Sequence, residues 1–189
     1  MVATTIELGA ERMTDPVRAA LYDDLFNAHY AAVLRLCRLL LDDGHEAEEV
    51  AQDVFFKVFQ ELRIQKVNQP KPMIWKPWIM KVSINACRDR RRSGWWKMWR
   101  ATGDIVQEAN HPRITETPED TLLNRELQGR IWRAFQQLSK RQREVFALRY
   151  IDGWSTDEAA SLLGISSGSV KRLLFRAVHR MRNALGERS

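Results

Sequence analysis

Apolar residues return every three or four positions through most of the chain and no sustained alternation of period two occurs, which predicts helices and no strands. Asp15-Pro16 opens a first helix in which Leu21, Tyr22, Leu25, Phe26, Val33, Cys37 and Leu40 recur at helical steps until Asp42-Asp43-Gly44 breaks the pattern. A second helix runs from His45 to Leu62. Its inner face is Ala47, Val50, Ala51, Val54, Phe55, Val58 and Leu62, while Glu46, Glu49, Gln52, Asp53 and Gln60 point outward. The stretch from Arg63 to Lys76 contains Pro70 and Pro72 and cannot be a regular helix. Pro77, suited to a first helical position, starts a third helix with Trp78, Ile79, Val82 and Ala86 toward the core. Asn85, Arg88, Asp89 and Arg92 share another face of it.

The rhythm is then lost in a polar stretch with Gly94, Gly103 and His111-Pro112, which predicts a flexible linker over 95–117. Order returns at Thr117-Pro118, where threonine caps and proline takes the first helical position. Leu122, Leu123, Leu127, Ile131, Trp132, Phe135 and Leu138 form the apolar face of the helix that follows. Ser139 with Gln142 makes a capping box for another helix through Tyr150, and Asp152-Gly153 turns the chain. The fold class expected is all-α: an N-terminal extension (1–20), a helical domain (21–94), the linker, and a second helical domain (118–189).

The most informative local pattern lies between Ser155 and Arg176 and reads as a helix-turn-helix. Ser155 and Glu158 make a second capping box, Ala159, Ala160 and Leu163 face inward, and Gly164 supplies the left-handed turn. Ser166 caps the next helix, which Val170, Leu173, Leu174 and Ala177 hold against the first. That leaves Ser169, Lys171, Arg172, Phe175 and Arg176 outward, and these side chains suit a DNA major groove. Arginine and lysine meet guanine edges or phosphates, serine a phosphate, and phenylalanine a thymine methyl.

Composition sharpens this reading. The 189 residues carry 30 Lys and Arg against 24 Asp and Glu, a net charge of +6 that matters only because it is localised. Acid gathers in HEAEEVAQD (45–53) and base in CRDRRR (87–92) and the last helix, which suggests a protein partner as well as a nucleic acid. Cys37 and Cys87 sit at positions a helical pattern buries, and they read as reduced core thiols. Neither they nor the four scattered histidines have metal-site spacing, so neither a metal nor any other cofactor is expected. No run of about 18 apolar residues exists, so no membrane insertion is expected and the location expected is cytoplasmic. A nucleic-acid enzyme lacks its parts here: a carboxylate cluster, a phosphate-cradling glycine loop, or a nucleophile with its base.

These blocks resemble a known family, the extracytoplasmic-function branch of bacterial sigma factors, which keep only the second and fourth sigma domains. LSKRQREVFALRYIDGWSTDEAASLLGISSGSVKRLLFRAVHRMR is similar to the fourth domain, with Ser139 in place of the usual proline and Arg172-Leu173 in place of Ser-Arg. LFNAHYAAVLRL, HEAEEVAQDVFFKVFQEL and WIMKVSINACRDRRR resemble, in order, the blocks of the second domain. The resemblance implies core RNA polymerase, through its β′ and β subunits, as a partner, together with double- and single-stranded promoter DNA and an anti-sigma factor. It implies that Glu49, Gln52 and Asp53 dock on polymerase. It further implies that the third helix, through Lys81, Asn85, Arg88, Arg91 and Arg92, and the loop before it hold the melted minus-ten strand. The residues of the 63–76 loop, stiffened by its prolines, with Asn68, Gln69, Lys71 and Lys76 as polar groups and Trp75 to stack, lead to the expectation that it chooses the captured base, an ordinary helix connection being the alternative. Ser169, Lys171, Arg172, Phe175 and Arg176 are then expected at the minus-thirty-five element.

A response-regulator type of transcription factor shares a pattern like 138–160, but it would carry an α/β or ligand-binding domain upstream, where this chain reads as helical. The tryptophan-rich WWKMW (95–99) lies outside the family pattern. Packing under the linker and stacking on an unpaired base or on polymerase are both open to it.

Overall fold

The computed structural model describes residues 16–64, 73–100 and 121–186, with side chains described except over 94–100 and 121–125. Within these residues the chain forms seven α-helices and one π-helical turn, and no strand. Three helices build the first half: α1 (Pro16–Leu40), α2 (Gly44–Ile64) and α3 (Trp75–Arg100). Each packs on the other two. Every residue of the expected inner face of α2, from Ala47 to Leu62, is buried, because a strict three-to-four spacing leaves one stripe to bury and one side to solvate. Val33, Leu36, Cys37 and Leu40 of α1 and Ile79, Ile84 and Cys87 of α3 complete the core. Phe26, Tyr30 and Phe55 close one end as a ring cluster with centroids 4.6 to 5.6 Å apart.

The third helix departs from the sequence reading in two ways. It begins at Trp75, so Trp75 and Lys76 belong to its first turn rather than to a loop, and it continues to Arg100, six residues into the segment read as linker. Its buried stripe is also rotated. Ile79, Met80, Ser83, Ile84 and Cys87 are buried, whereas Trp78, Val82 and Ala86 are only half-buried. Ser83 tolerates this because its hydroxyl donates to the Ile79 carbonyl at 2.8 Å, so no polar atom is left unpaired.

The second half comprises α4 (Thr121–Gln136), α5 (Lys140–Phe146), the π-turn (Ala147–Ile151), α6 (Thr156–Leu163) and α7 (Ser167–Leu185). The last helix is the hub, packed by α4, α5 and α6. Both expected capping boxes form, at Ser139 with Gln142 and at Ser155 with Glu158. The helix expected through Tyr150 instead widens after Phe146, and the Asp152 amide bonds to the Ala147 carbonyl five residues back. This extra residue in the turn swings Trp154 into the core, where it is buried. Of the apolar face expected for this helix, Phe135 and, just beyond the end of α4, Leu138 are buried, but Leu127 and Ile131 are exposed.

The halves touch where α3 meets α6 and α1 meets α5. Polar ties cross this seam beside a groove lined by Pro77, Trp78, Lys81, Ser161 and Leu162. Arg35 bonds Asp152 at 2.7 Å, Arg143 bonds Asp42 at 2.9 Å, and the Lys76 ammonium stands 4.9 Å over the Trp154 ring.

Candidate nucleic-acid interface

The turn of the helix-turn-helix is set by Gly164, whose φ of 68° is left-handed and whose amide bonds back to the Ala160 carbonyl. Ser166 then caps α7 by accepting from the Ser169 amide. The two helices are clamped by Ala159, Ala160, Leu162 and Leu163 against Val170 and Ala177, all buried. Leu173 and Leu174 pack at the edge of that core, and Met181 extends it.

With that face committed, Lys171, Arg172, Phe175 and Arg176 are exposed along the other side of α7, as the periodicity requires. Phe175 is 75% exposed, and its ring lies nearly parallel to His179, 6.4 Å away. Ser169 is half-buried at the edge of this surface. Its hydroxyl pairs with Ser166 at 3.0 Å and accepts from Arg172 at 3.2 Å, which steadies the guanidinium at the start of the exposed face. A row of cations around one apolar tip offers the donors and the apolar contact that major-groove edges and phosphates accept.

The polar face of α3 is a second basic surface. Lys81 and Asn85 are exposed, one helical turn apart. The Asn85 carbonyl accepts from Arg88 at 3.4 Å, and Arg92 pairs with Asp89 at 2.7 Å. Trp75 is half-buried, edge-on to Trp78 with centroids 5.7 Å apart. Asn68 lies outside the described residues, as do the side chains of WWKMW. Arg88 and Arg91 do not face solvent with the others. Both turn across the seam onto Glu144 of α5.

Glu144 is the residue that sequence reasoning missed. Its side chain is 1% exposed and is held by three guanidinium groups. Arg88 donates through Nε at 3.1 Å and Nη2 at 2.8 Å, Arg91 at 2.8 Å, and Arg141 at 3.1 Å. Burial pushes its carboxyl up, but the Arg88 hydrogen bond and the fields of Arg88, Arg91 and Arg141 outweigh it and hold the group below the usual range. Asp152 shows the opposite balance. Burial raises it more than Arg35 and Lys76 lower it, so it lies above the usual range although Arg35 bonds it.

On α2, Glu49, Gln52 and Asp53 share one exposed face. Arg90 of α3 bonds Glu49 at 2.6 Å and reaches within 3.7 Å of Asp53. The Arg90 hydrogen bond holds the Glu49 carboxyl below its ordinary value.

The cysteines are free and buried, Sγ to Sγ 3.6 Å, and the contact with Cys87 together with burial pushes the Cys37 thiol up, which keeps it protonated and unreactive. Among the described residues no group of three His, Cys, Asp or Glu could hold a metal ion, and no helix is long and apolar enough to cross a membrane.

Comparison with known proteins follows the same division. Residues 25–97 match the family model of sigma-70 region 2, and residues 128–181 match that of sigma-70 region 4. The ECF RNA polymerase sigma factor SigL of Mycobacterium tuberculosis is 31% identical over 169 residues, covering 89% of this chain and 91% of SigL. The ECF RNA polymerase sigma factor SigW of Bacillus subtilis is 25% identical over 169 residues, covering 87% and 86%. Among solved structures, the sigma factor RpoE from Bartonella quintana, in complex with the anti-sigma factor NepR, superposes with a TM-score of 0.69 at 21% identity, covering 87% of this chain and 96% of RpoE. CnrH, in complex with the cytosolic domain of CnrY, gives 0.61 at 22%, covering 96% and 97%. At these identities the likeness to the solved structures is one of fold.

Proposed function

The chain belongs to the extracytoplasmic-function branch of the bacterial sigma-70 family, and from that premise we propose which of its surfaces meets which part of the transcription machinery. As a sigma factor it directs promoter-specific initiation with RNA polymerase, a role that is not enzymatic. The first half is the sigma domain that binds core polymerase and the minus-ten element, and the second is the domain that reads the minus-thirty-five element.

The observation that carries the assignment is the pairing of two separate basic helix faces in one short chain, α7 behind a capped turn and α3 beside an acidic face of α2. The major groove takes Ser169, Lys171, Arg172, Phe175 and Arg176. The unpaired minus-ten strand takes Asn85 on a base edge and Lys81, Arg88, Arg91 and Arg92 on phosphates, and Trp75 and Asn68 are assigned to the same strand. Holding an extruded base offsets the cost of unstacking, so melting proceeds without ATP. Glu49, Gln52 and Asp53 dock on a basic surface of polymerase β′, and the second half contacts β. The complex of RpoE with NepR supports an anti-sigma partner of the same kind. The protein works in the cytoplasm, where polymerase is.

Transcription reactions with core polymerase on a randomised promoter library, with and without this protein, test the reading. The expected result is transcripts from a class of promoters sharing two elements, only when the protein is present. Tight sequence-specific binding by the free protein, without polymerase, would favour a conventional transcription factor instead.

A further inference from the structure

The buried carboxylate of Glu144 is dressed as a phosphate would be. Each of its oxygens takes two guanidinium donors: Oε1 from Arg88 Nε and Arg91 Nη2, Oε2 from Arg88 Nη2 and Arg141 Nη1. The forked approach of Arg88 is the geometry that arginine offers to a carboxylate and a phosphodiester alike. Three cations around one anion also leave the site electropositive. Arg91 has Nε and Nη1 buried without a hydrogen-bond partner, so Glu144 leaves part of the donor set unused. Arg88 and Arg91 belong to the face of α3 assigned above to the minus-ten strand, whereas Glu144 comes from the other half of the molecule.

We propose that Glu144 is an internal stand-in for a backbone phosphate of the minus-ten strand, so that the free protein keeps Arg88 and Arg91 closed against single-stranded DNA until its halves separate. This rests on the minus-ten assignment of those two arginines. The rest of the seam suits a contact built to open. Arg35 with Asp152, Arg143 with Asp42, and Lys76 over Trp154 are polar ties, each with one exposed partner. Asp152 is held at a desolvation cost that Arg35 does not fully offset. The face of α7 that reads duplex DNA stays exposed in the closed form. The latch therefore masks strand capture alone, and separation of the halves on core polymerase would unmask it.

The test uses the full chain and fluorescent oligo-dT, whose phosphates are the relevant ligand, with radius of gyration measured in parallel by small-angle scattering. Glu144→Gln keeps the shape and removes the charge. It should expand the protein and tighten oligo-dT binding by up to about tenfold, the gain expected when a competent state populated at one part in ten becomes dominant. Arg35→Ala with Asp42→Asn, which leaves Glu144 in place, should move both readouts the same way by less, and it covers the case in which the glutamine variant fails to fold. Adding Arg88→Ala and Arg91→Ala to Glu144→Gln should erase the gain. Variants that stay as compact as the wild type and bind oligo-dT no better would overturn the latch. Expansion without tighter binding would overturn the phosphate mimicry. A gain that survives loss of both arginines would instead sink their minus-ten assignment, which promoter opening by holoenzyme carrying Arg88→Ala and Arg91→Ala, followed by permanganate reactivity, examines separately.

Discussion

Arg90 of α3 and Glu49 of α2 meet at 2.6 Å, and the same guanidinium lies 3.7 Å from Asp53. One cation therefore sits against the acidic face that is assigned to polymerase. It partly neutralises Glu49 and leaves Asp53, whose side chain is 66% exposed, as the freer charge. Of the two carboxylates assigned to docking, Glu49 should then contribute less to attraction toward a basic partner.

Replacing Gln52 and Asp53 with lysine should abolish core binding, while Glu49→Gln should weaken it only slightly. Arg90→Ala should raise the association rate several-fold at low salt, because removing the cation strengthens the field of the face. Stopped-flow association with labelled core polymerase gives both numbers. A rate that is unchanged or slower in Arg90→Ala would mean that polymerase does not approach along this face.

The two buried carboxylates at the seam should respond to pH with opposite signs. Glu144 has a depressed pKa, so its contribution to stability is fully present above the unfolded value and is lost as pH falls through the folded one. Glu144→Gln should therefore cost about 1–3 kcal/mol at neutral pH, less than a fully buried pair because the arginines can turn to water. The difference from wild type should vanish in acid. Asp152 has a raised pKa, so its contribution is present below the unfolded value and is lost as pH rises through the folded one. Asp152→Asn should flatten that loss and leave the protein no less stable at neutral pH. Urea melts across the acid range decide it, and parallel curves for the two variants would refute the opposite signs.

The turn and the helix it feeds should answer differently to the same small change. Gly164 has a left-handed φ of 68°, and a Cβ there would meet nothing within 4 Å, so Gly164→Ala carries backbone strain alone. The expected cost is about 1–2 kcal/mol. Gly168 lies in the first turn of α7, with no positive φ, and its added Cβ would come no closer than 4.0 Å to Ser166 Oγ. Gly168→Ala should therefore stabilise by about 0.5–1 kcal/mol. Thermal denaturation of the full chain measures both, and a loss at Gly168 equal to that at Gly164 would contradict the conformational account.

Much of this was legible from periodicity, and the exceptions share a cause. The inner face of α2 reads directly because it packs on α1 and α3 within one three-helix core. The caps at Ser139 and Ser155 read equally well, since the residues that satisfy them are three positions away. Glu144 does not read. Its partners Arg88 and Arg91 are 56 and 53 residues upstream, and a glutamate beside two arginines looks solvated until the halves are brought together. The rotated stripe of α3 was hidden for a similar reason. Trp78 looks like core, but it lines the groove between the halves with Lys81, Ser161 and Leu162, while Ser83 looks polar yet is satisfied by its own helix.

The exposed face of α7 assigned to the major groove should separate base readout from phosphate attraction, and salt tells them apart. Lys171 carries a mobile point charge with no partner geometry to match a base. Lys171→Ala should weaken all sequences alike and reduce the slope of log affinity against log salt by about one. Arg172 is steadied by Ser169, and Arg176 follows it one turn on along the same exposed side. Alanine at either should cost about 1–3 kcal/mol, concentrated at one base pair of the upstream element, if the fork meets a guanine. Phe175 provides the cleanest case because it is uncharged. Its ring is largely exposed and backed by His179, so it offers apolar area to a thymine methyl and nothing to a phosphate. Phe175→Ala should therefore leave the salt slope untouched while lowering affinity for one thymine-bearing position, and replacing that thymine with uracil, which lacks the methyl, should reproduce the loss in the wild type. The two losses should not add in combination. If Phe175→Ala instead weakens every upstream element equally, the ring only supports the helix, and the specificity of this domain rests on its arginines.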